Sequence, residues 1–173
     1  MEWANPRERA EEQAGDGAGD GVRLIDEGMC FVCGRKNPKG LRVKFTVDRK
    51  ALKIAGTFKP RREHEGYKGI MHGGLVGTLL DEAMVKLLWE SGIPAVSASL
   101  EIRLARPAMV GEELAISGWV EEDRGKVIVT AAKVVDSRGN LVAEAKGKCM
   151  RVETSIQTSI HSKAEGKEGD RAS

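Results

Sequence analysis

Residues 71–84 read MHGGLVGTLLDEAM, a run suited to burial that carries a histidine, two adjacent glycines and, nine residues after the histidine, an aspartate. The first turn of a helix leaves backbone N–H groups without partners, with the positive end of the helix dipole behind them. Gly73 and Gly74 would keep such donors open to a substrate oxygen, as an oxyanion hole requires. A carboxylate in apolar surroundings, here Asp81, is a poised general base or nucleophile. These are parts for acyl chemistry without a serine nucleophile or a metal. From these residues alone a structural alternative stands beside it: His72 caps the helix, the glycines serve packing, and Asp81 is a satisfied polar group.

The spacing predicts a helix over about residues 73–90. At 100° per residue Leu75, Val76, Leu79, Leu80, Ala83, Met84, Leu87 and Leu88 cover a wide apolar arc, with Asp81 at its margin. Gly74 and Gly77 lie on the side of Asp81, and each interior glycine costs about 1 kcal/mol relative to alanine. Absent side chains there would admit another backbone or a ligand. Glu82 falls elsewhere and is expected to pair with Lys86 at i+4.

Around the helix the pattern is that of strands. LRVKFTV (41–47) and ALKIAGTF (51–58) alternate apolar and polar residues across the turn VDRKA, as does VSASLEIRLARP (96–107). ELAISGWV (113–120), KVIVTAAKVV (126–135) and LVAEAKGKCMRV (141–152) follow, joined by the glycine-bearing turns EEDRG and DSRGN. The order is ββ-α-ββββ, an α+β chain whose antiparallel sheet wraps around one long helix. Residues 1–20 and 155–173 are small, polar and mixed in charge, and are expected to be flexible tails around a domain over 24–153.

Composition narrows the function. The 173 residues fit one domain. Charge is dense (31%) but nearly balanced at +2, which calls for neither nucleic acid nor a membrane surface as partner. Aromatics at 4% leave an aliphatic core and no stacking platform for bases. Three cysteines and an acidic, polar N-terminus point to a cytoplasmic protein.

HGGLVGTLLDEAM, the upstream GYKGIM and the downstream VSASLEIRLARPAMVGEEL resemble the hotdog-fold acyl-CoA thioesterases of the phenylacetate-pathway type. CFVCGRKNPKGLRVKF resembles a subgroup opening with Cys-x-x-Cys-Gly, Asn-Pro and Gly-Leu, so the likeness spans roughly residues 29–152. It implies a hotdog fold and hydrolysis of an acyl-CoA thioester to free acid and CoA. Gly73 would offer its N–H to the thioester carbonyl, and His72 would position that carbonyl or shape the helix start. Asp81 would act as general base or nucleophile, and Ser97 matches a Ser or Thr that assists the attacking water. Strict alternation, however, puts Ser97 on the polar face of its strand. Where many members carry Asn or Gln upstream of the histidine, this chain reads His64-Glu65-Gly66; either His64 or Glu65 substitutes or the contact is missing.

Arg103, Arg106 and Arg138, at strand ends or hairpins, are candidates for the phosphates of coenzyme A. No cofactor is expected, coenzyme A being part of the substrate. Met71, Met84, Leu88 and Trp89 are expected to line an apolar acyl pocket. Cys30-Phe-Val-Cys33-Gly34 has the spacing of half a zinc site, but no second paired motif follows, so a tight turn without metal is expected. Cys149 alternates onto the core face with Ala143, Ala145 and Gly147. The alternative to an enzyme is a non-catalytic acyl-CoA binding or sensing protein.

Helical rise places Gly73 and Asp81 about 12 Å apart along one axis. One helix therefore cannot hold a carbonyl at its start and attack it with Asp81. Two antiparallel helices related by a two-fold axis can, so the expectation is a homodimer, open to pairing into a homotetramer, in which Gly73 of one chain meets Asp81 of the other.

Overall fold

A computed structural model describes residues 24–152 and 157–158. Of the expected tails 1–20 and 155–173, residues 1–20, 155–156 and 159–173 lie outside the described residues. Gln157 and Thr158, within the expected C-terminal tail, instead form a short strand β10 that pairs parallel with β1 (Ile25–Asp26).

Six strands make the main antiparallel sheet. They are β2 (Lys44–Asp48), β3 (Lys53–Phe58), β6 (Ala95–Leu104), β7 (Leu114–Asp123), β8 (Val127–Val135) and β9 (Leu141–Arg151). Their order is β2-β3-β7-β8-β9-β6, with β2 and β6 at the edges. β4 (Glu65–Tyr67) and β5 (Ile70–Met71) form a small hairpin absent from the expected order. Immediately after it comes the helix α1 (Gly73–Glu90), at the bounds its periodicity predicts. Leu79, Leu80, Ala83, Met84, Leu87 and Leu88 are at most 1% exposed. They pack on Ile54, Leu114, Ile116, Ile128, Ala132 and Ala145 from the sheet. Each fully buried leucine contributes about 1.5–3 kcal/mol, so this one face carries much of the stability. Cys149 joins that core from β9, as its alternation predicts.

Two local departures matter. β2 begins at Lys44 rather than Leu41, because residues 41–43 run as an extension of the preceding loop. Leu41 N–H donates to the Phe31 carbonyl at 2.8 Å, Val43 N–H donates to the Val32 carbonyl at 2.9 Å, and Arg42 between them sits at φ 57°. Asn37 clasps the loop, its side-chain amide donating to the Met29 carbonyl at 3.1 Å and its oxygen accepting from Lys39 N–H at 2.9 Å. The second departure is a bulge in β6. Ser97 opposes Cys149 and Ser99 opposes Lys148, so two residues of β6 span one of β9. Parity therefore switches at Ala98.

Candidate active site

The start of α1 is held from below. His64 is buried, its ring packed on Phe58 with centroids 5.1 Å apart, and its Nδ1 accepts from Arg61 N–H at 2.9 Å. Its carbonyl accepts from His72 N–H at 2.8 Å. Burial pushes the His64 imidazole below its ordinary pKa. Glu65 Oε1 accepts from Gly69 N–H at 3.0 Å and tightens the β4–β5 hairpin. Both candidates for the missing Asn or Gln contact thus brace the chain leading into His72.

His72 is the N-cap. Its Nδ1 accepts from Gly74 N–H at 2.9 Å, and its carbonyl accepts from Leu75 and Val76 N–H at 2.9 and 3.2 Å. The Gly74 donor is consumed in this cap. Gly73 N–H has no acceptor among the described residues, the single first-turn donor left open. It faces a cleft of about 600 Å³ whose walls include His72, Tyr67, Met71, Leu104 and Arg106.

Further along α1, half-buried Asp81 accepts from Ser97 Oγ at 2.6 Å. Strict alternation predicts Ser97 on the polar face; the bulge overturns that. Before it Ser97 faces the helix opposite core residue Cys149, and after it Leu100 and Ile102 face the helix instead, opposite Gly147 and Ala145. The space at Gly77 is filled from the same strand: a Cβ there would lie 2.7 Å from Ile102 Cδ1. That gap takes a side chain of the chain's own β6 rather than a second backbone. Asp81 and Ser97 do not line the cleft at Gly73.

Of the cationic candidates only Arg106 lines that cleft. Arg103 is paired with Glu144 at 2.7 Å on the outer face of the sheet, and Arg138 sits in the β8–β9 hairpin. Of the four residues expected to line an acyl pocket, Met71 lines this cleft; Met84 and Leu88 are interior core, and Trp89 lines a separate cleft beside Cys30 and Cys33.

At that second cleft the expected Glu82–Lys86 pair is not formed. Lys86 Nζ turns to Glu90 at 3.1 Å and to Asp26 at 3.7 Å, two acceptors that draw it away. Glu82 Oε2 instead accepts from Cys30 Sγ at 3.3 Å, a contact across 52 residues that no local spacing could announce. Burial lifts the Glu82 carboxyl to about 7, and a hydrogen bond with Cys33 holds the Cys30 thiol down at about 5 while pushing Cys33 up.

One long helix packed against an antiparallel sheet in the order ββ-α-ββββ is the hotdog fold. The profile of the thioesterase superfamily matches residues 68–143. Human acyl-coenzyme A thioesterase 13 is 31% identical over 97 residues, covering 54% of this chain and 69% of that protein, and the mouse protein matches equally over 98 residues. Among solved structures, the Escherichia coli PaaI protein from the phenylacetic acid degradation operon superposes with a TM-score of 0.63 at 22% identity, over 68% of this chain and 84% of that one. A Streptococcus mutans protein solved bound to acetyl CoA gives 0.60 at 23% identity, over 66% and 91%. The chain belongs to the thioesterase superfamily and is a thioester hydrolase.

Proposed function

We propose that the protein hydrolyses acyl-CoA thioesters in composite sites shared between two copies of the chain. One observation carries the reading: the open Gly73 N–H and Asp81, which accepts from Ser97 on β6, lie on one helix about 12 Å apart along its axis, and only the first lines the cleft. The relatives named for acyl-CoA hydrolysis and the neighbour bound to acetyl CoA supply the substrate class.

Gly73 N–H of one copy donates to the thioester oxygen, with the dipole of α1 behind it. Asp81 of the other copy takes a proton from water, and the resulting hydroxide attacks the carbonyl carbon. The tetrahedral oxyanion collapses, the C–S bond breaks, and the thiolate of coenzyme A recovers the proton from Asp81. Ser97 donates to Oδ1 of Asp81 and leaves Oδ2 for the water. The apolar wall of Tyr67, Met71 and Leu104 suits an acyl or pantetheine chain, and Arg106 at the rim suits a phosphate.

The exposed edge of β6 supports a second copy. Val96, Leu100, Ile102 and Leu104 are 37–55% exposed along it, and its outer edge has no strand partner among the described residues. Antiparallel pairing of β6 with its counterpart would continue the sheet and set the two helices side by side.

Colorimetric release of thiol from a panel of acyl-CoAs tests the activity; binding without release at any chain length would make the protein an acyl-CoA binder instead. Subunit exchange tests the sharing. Proline is tolerated at the first helical position while removing its N–H, so Gly73→Pro deletes the donor with little harm to the helix. Mixed with Asp81→Asn, it should regain activity, because each heterodimer holds one intact site. Confirmed exchange without recovered turnover overturns the shared site.

A further inference from the structure

Cys30, Cys33 and Glu82 meet where the loop before β2 crosses α1, away from the cleft at Gly73, and thioester hydrolysis uses none of them. Their nearest ligand atoms all lie within 4.8 Å of one another. The loop is wound to make this so. Val32 N–H points at Cys30 Sγ at 3.4 Å, and Gly34 N–H donates to the Cys30 carbonyl at 2.9 Å. A Cβ on Gly34 would fall 2.4 Å from that carbonyl oxygen and 2.5 Å from Cys30 N, so only glycine closes the turn that brings both sulfurs to one side. N–H donation to sulfur favours thiolate over thiol.

We propose that Cys30, Cys33 and Glu82 bind one zinc ion, with water from the adjoining cleft in the fourth position. Two sulfurs and one carboxylate oxygen are a donor set that zinc accepts in tetrahedral geometry. Around such an ion, bonds of about 2.3 Å to sulfur and 2.0–2.2 Å to oxygen put a sulfur and an oxygen about 3.6 Å apart. Cys30 Sγ and Glu82 Oε2 stand at 3.3 Å, so the ion needs only a slight opening of the pair. The dication offsets two of the three negative charges that two thiolates and a carboxylate bring, and the Lys86 ammonium, paired with Glu90 and Asp26, stands one helical turn beyond Glu82. A disulfide between the cysteines would instead leave Glu82 at the loop–helix junction without the partner it now has. The ion clips the loop to α1 at the residue next to Asp81.

The test uses the full chain purified without a histidine tag. Expected are roughly one zinc per chain by elemental analysis and, after exchange to cobalt, thiolate-to-cobalt charge-transfer absorption with tetrahedral d–d bands. Cys30→Ser with Cys33→Ser should abolish both signals, and Glu82→Gln should weaken zinc affinity at least about tenfold. Cys149→Ser, which removes the buried core thiol, should leave both signals intact. Because the cobalt spectrum is read on the unaltered chain, a variant that fails to fold does not blur the outcome. Metal far below one per chain with no charge-transfer band overturns the proposal, as does a Cys30–Cys33 disulfide in the freshly purified protein. Unchanged zinc affinity in a folded Glu82→Gln protein also overturns it.

Discussion

The main sheet ends in β2 on one side and β6 on the other, and the two edges are finished by opposite rules. β2 has five residues, KFTVD, and its exposed positions carry Lys44, Thr46 and Asp48, with Arg42 and Arg49 just beyond. Short length and charge are what keep a free edge from recruiting another strand. β6 has ten residues and offers Val96, Leu100, Ile102 and Leu104 to solvent. One edge is blunted and the other is left open beside the helix that carries Asp81. In an otherwise well-packed domain, that asymmetry supports the proposal that a second copy docks on the β6 side.

The largest expected effect separates the chemistry from the edge. Asp81→Asn should lower kcat by about 10²–10⁴-fold, the contribution of a general base, while leaving the dimer and substrate binding in place. Turnover within a few-fold of the parent would return Asp81 to a structural role. Next, Leu100→Lys should put a charge into the open edge, yield monomers by light scattering and lower activity by about 10²-fold as the two halves of the site part. Thr46→Lys on β2 is the matched control and should change neither mass nor rate; an equal loss there would erase the difference between the edges.

Ser97→Ala should reduce kcat about tenfold, from the roughly 1.5 kcal/mol of a hydrogen bond to a charged group, with KM little changed. The smallest effect probes the support beneath His72. Because burial holds the folded His64 imidazole below its ordinary value, the unfolded chain binds that proton more readily. Its cost is absent above the unfolded pKa of about 6.5 and grows as pH falls through it toward the folded value. The melting temperature should therefore drop between pH 7 and 5.5 more steeply for the parent than for His64→Gln, measured by calorimetry in matched buffers.

Much of this was legible in local pattern. The 3.6-residue period of Leu79, Leu80, Ala83, Met84, Leu87 and Leu88 reports a helix buried against a sheet, and α1 runs at its predicted bounds. Alternation located the six sheet strands to within a few residues, and His-Gly-Gly located the helix start that the structure caps with His72. Alternation failed at Ser97, because an inserted residue in β6 reverses parity and leaves no mark on composition. Helical spacing failed at Glu82, where an i+4 lysine looked like the natural partner until Asp26 and Glu90 drew it away.

The sequence by itself determined the long helix and the six strands of the main sheet, and which residues are chemically able to act. Those properties follow from side-chain period and type, and both are local. Tertiary structure alone decided which groups meet: Ser97 with Asp81, Cys30 with Glu82, His64 beneath His72. Such meetings depend on sheet register and on how a loop crosses a helix. Both are set by the packing of the whole chain, so they appear only once its distant parts are brought together.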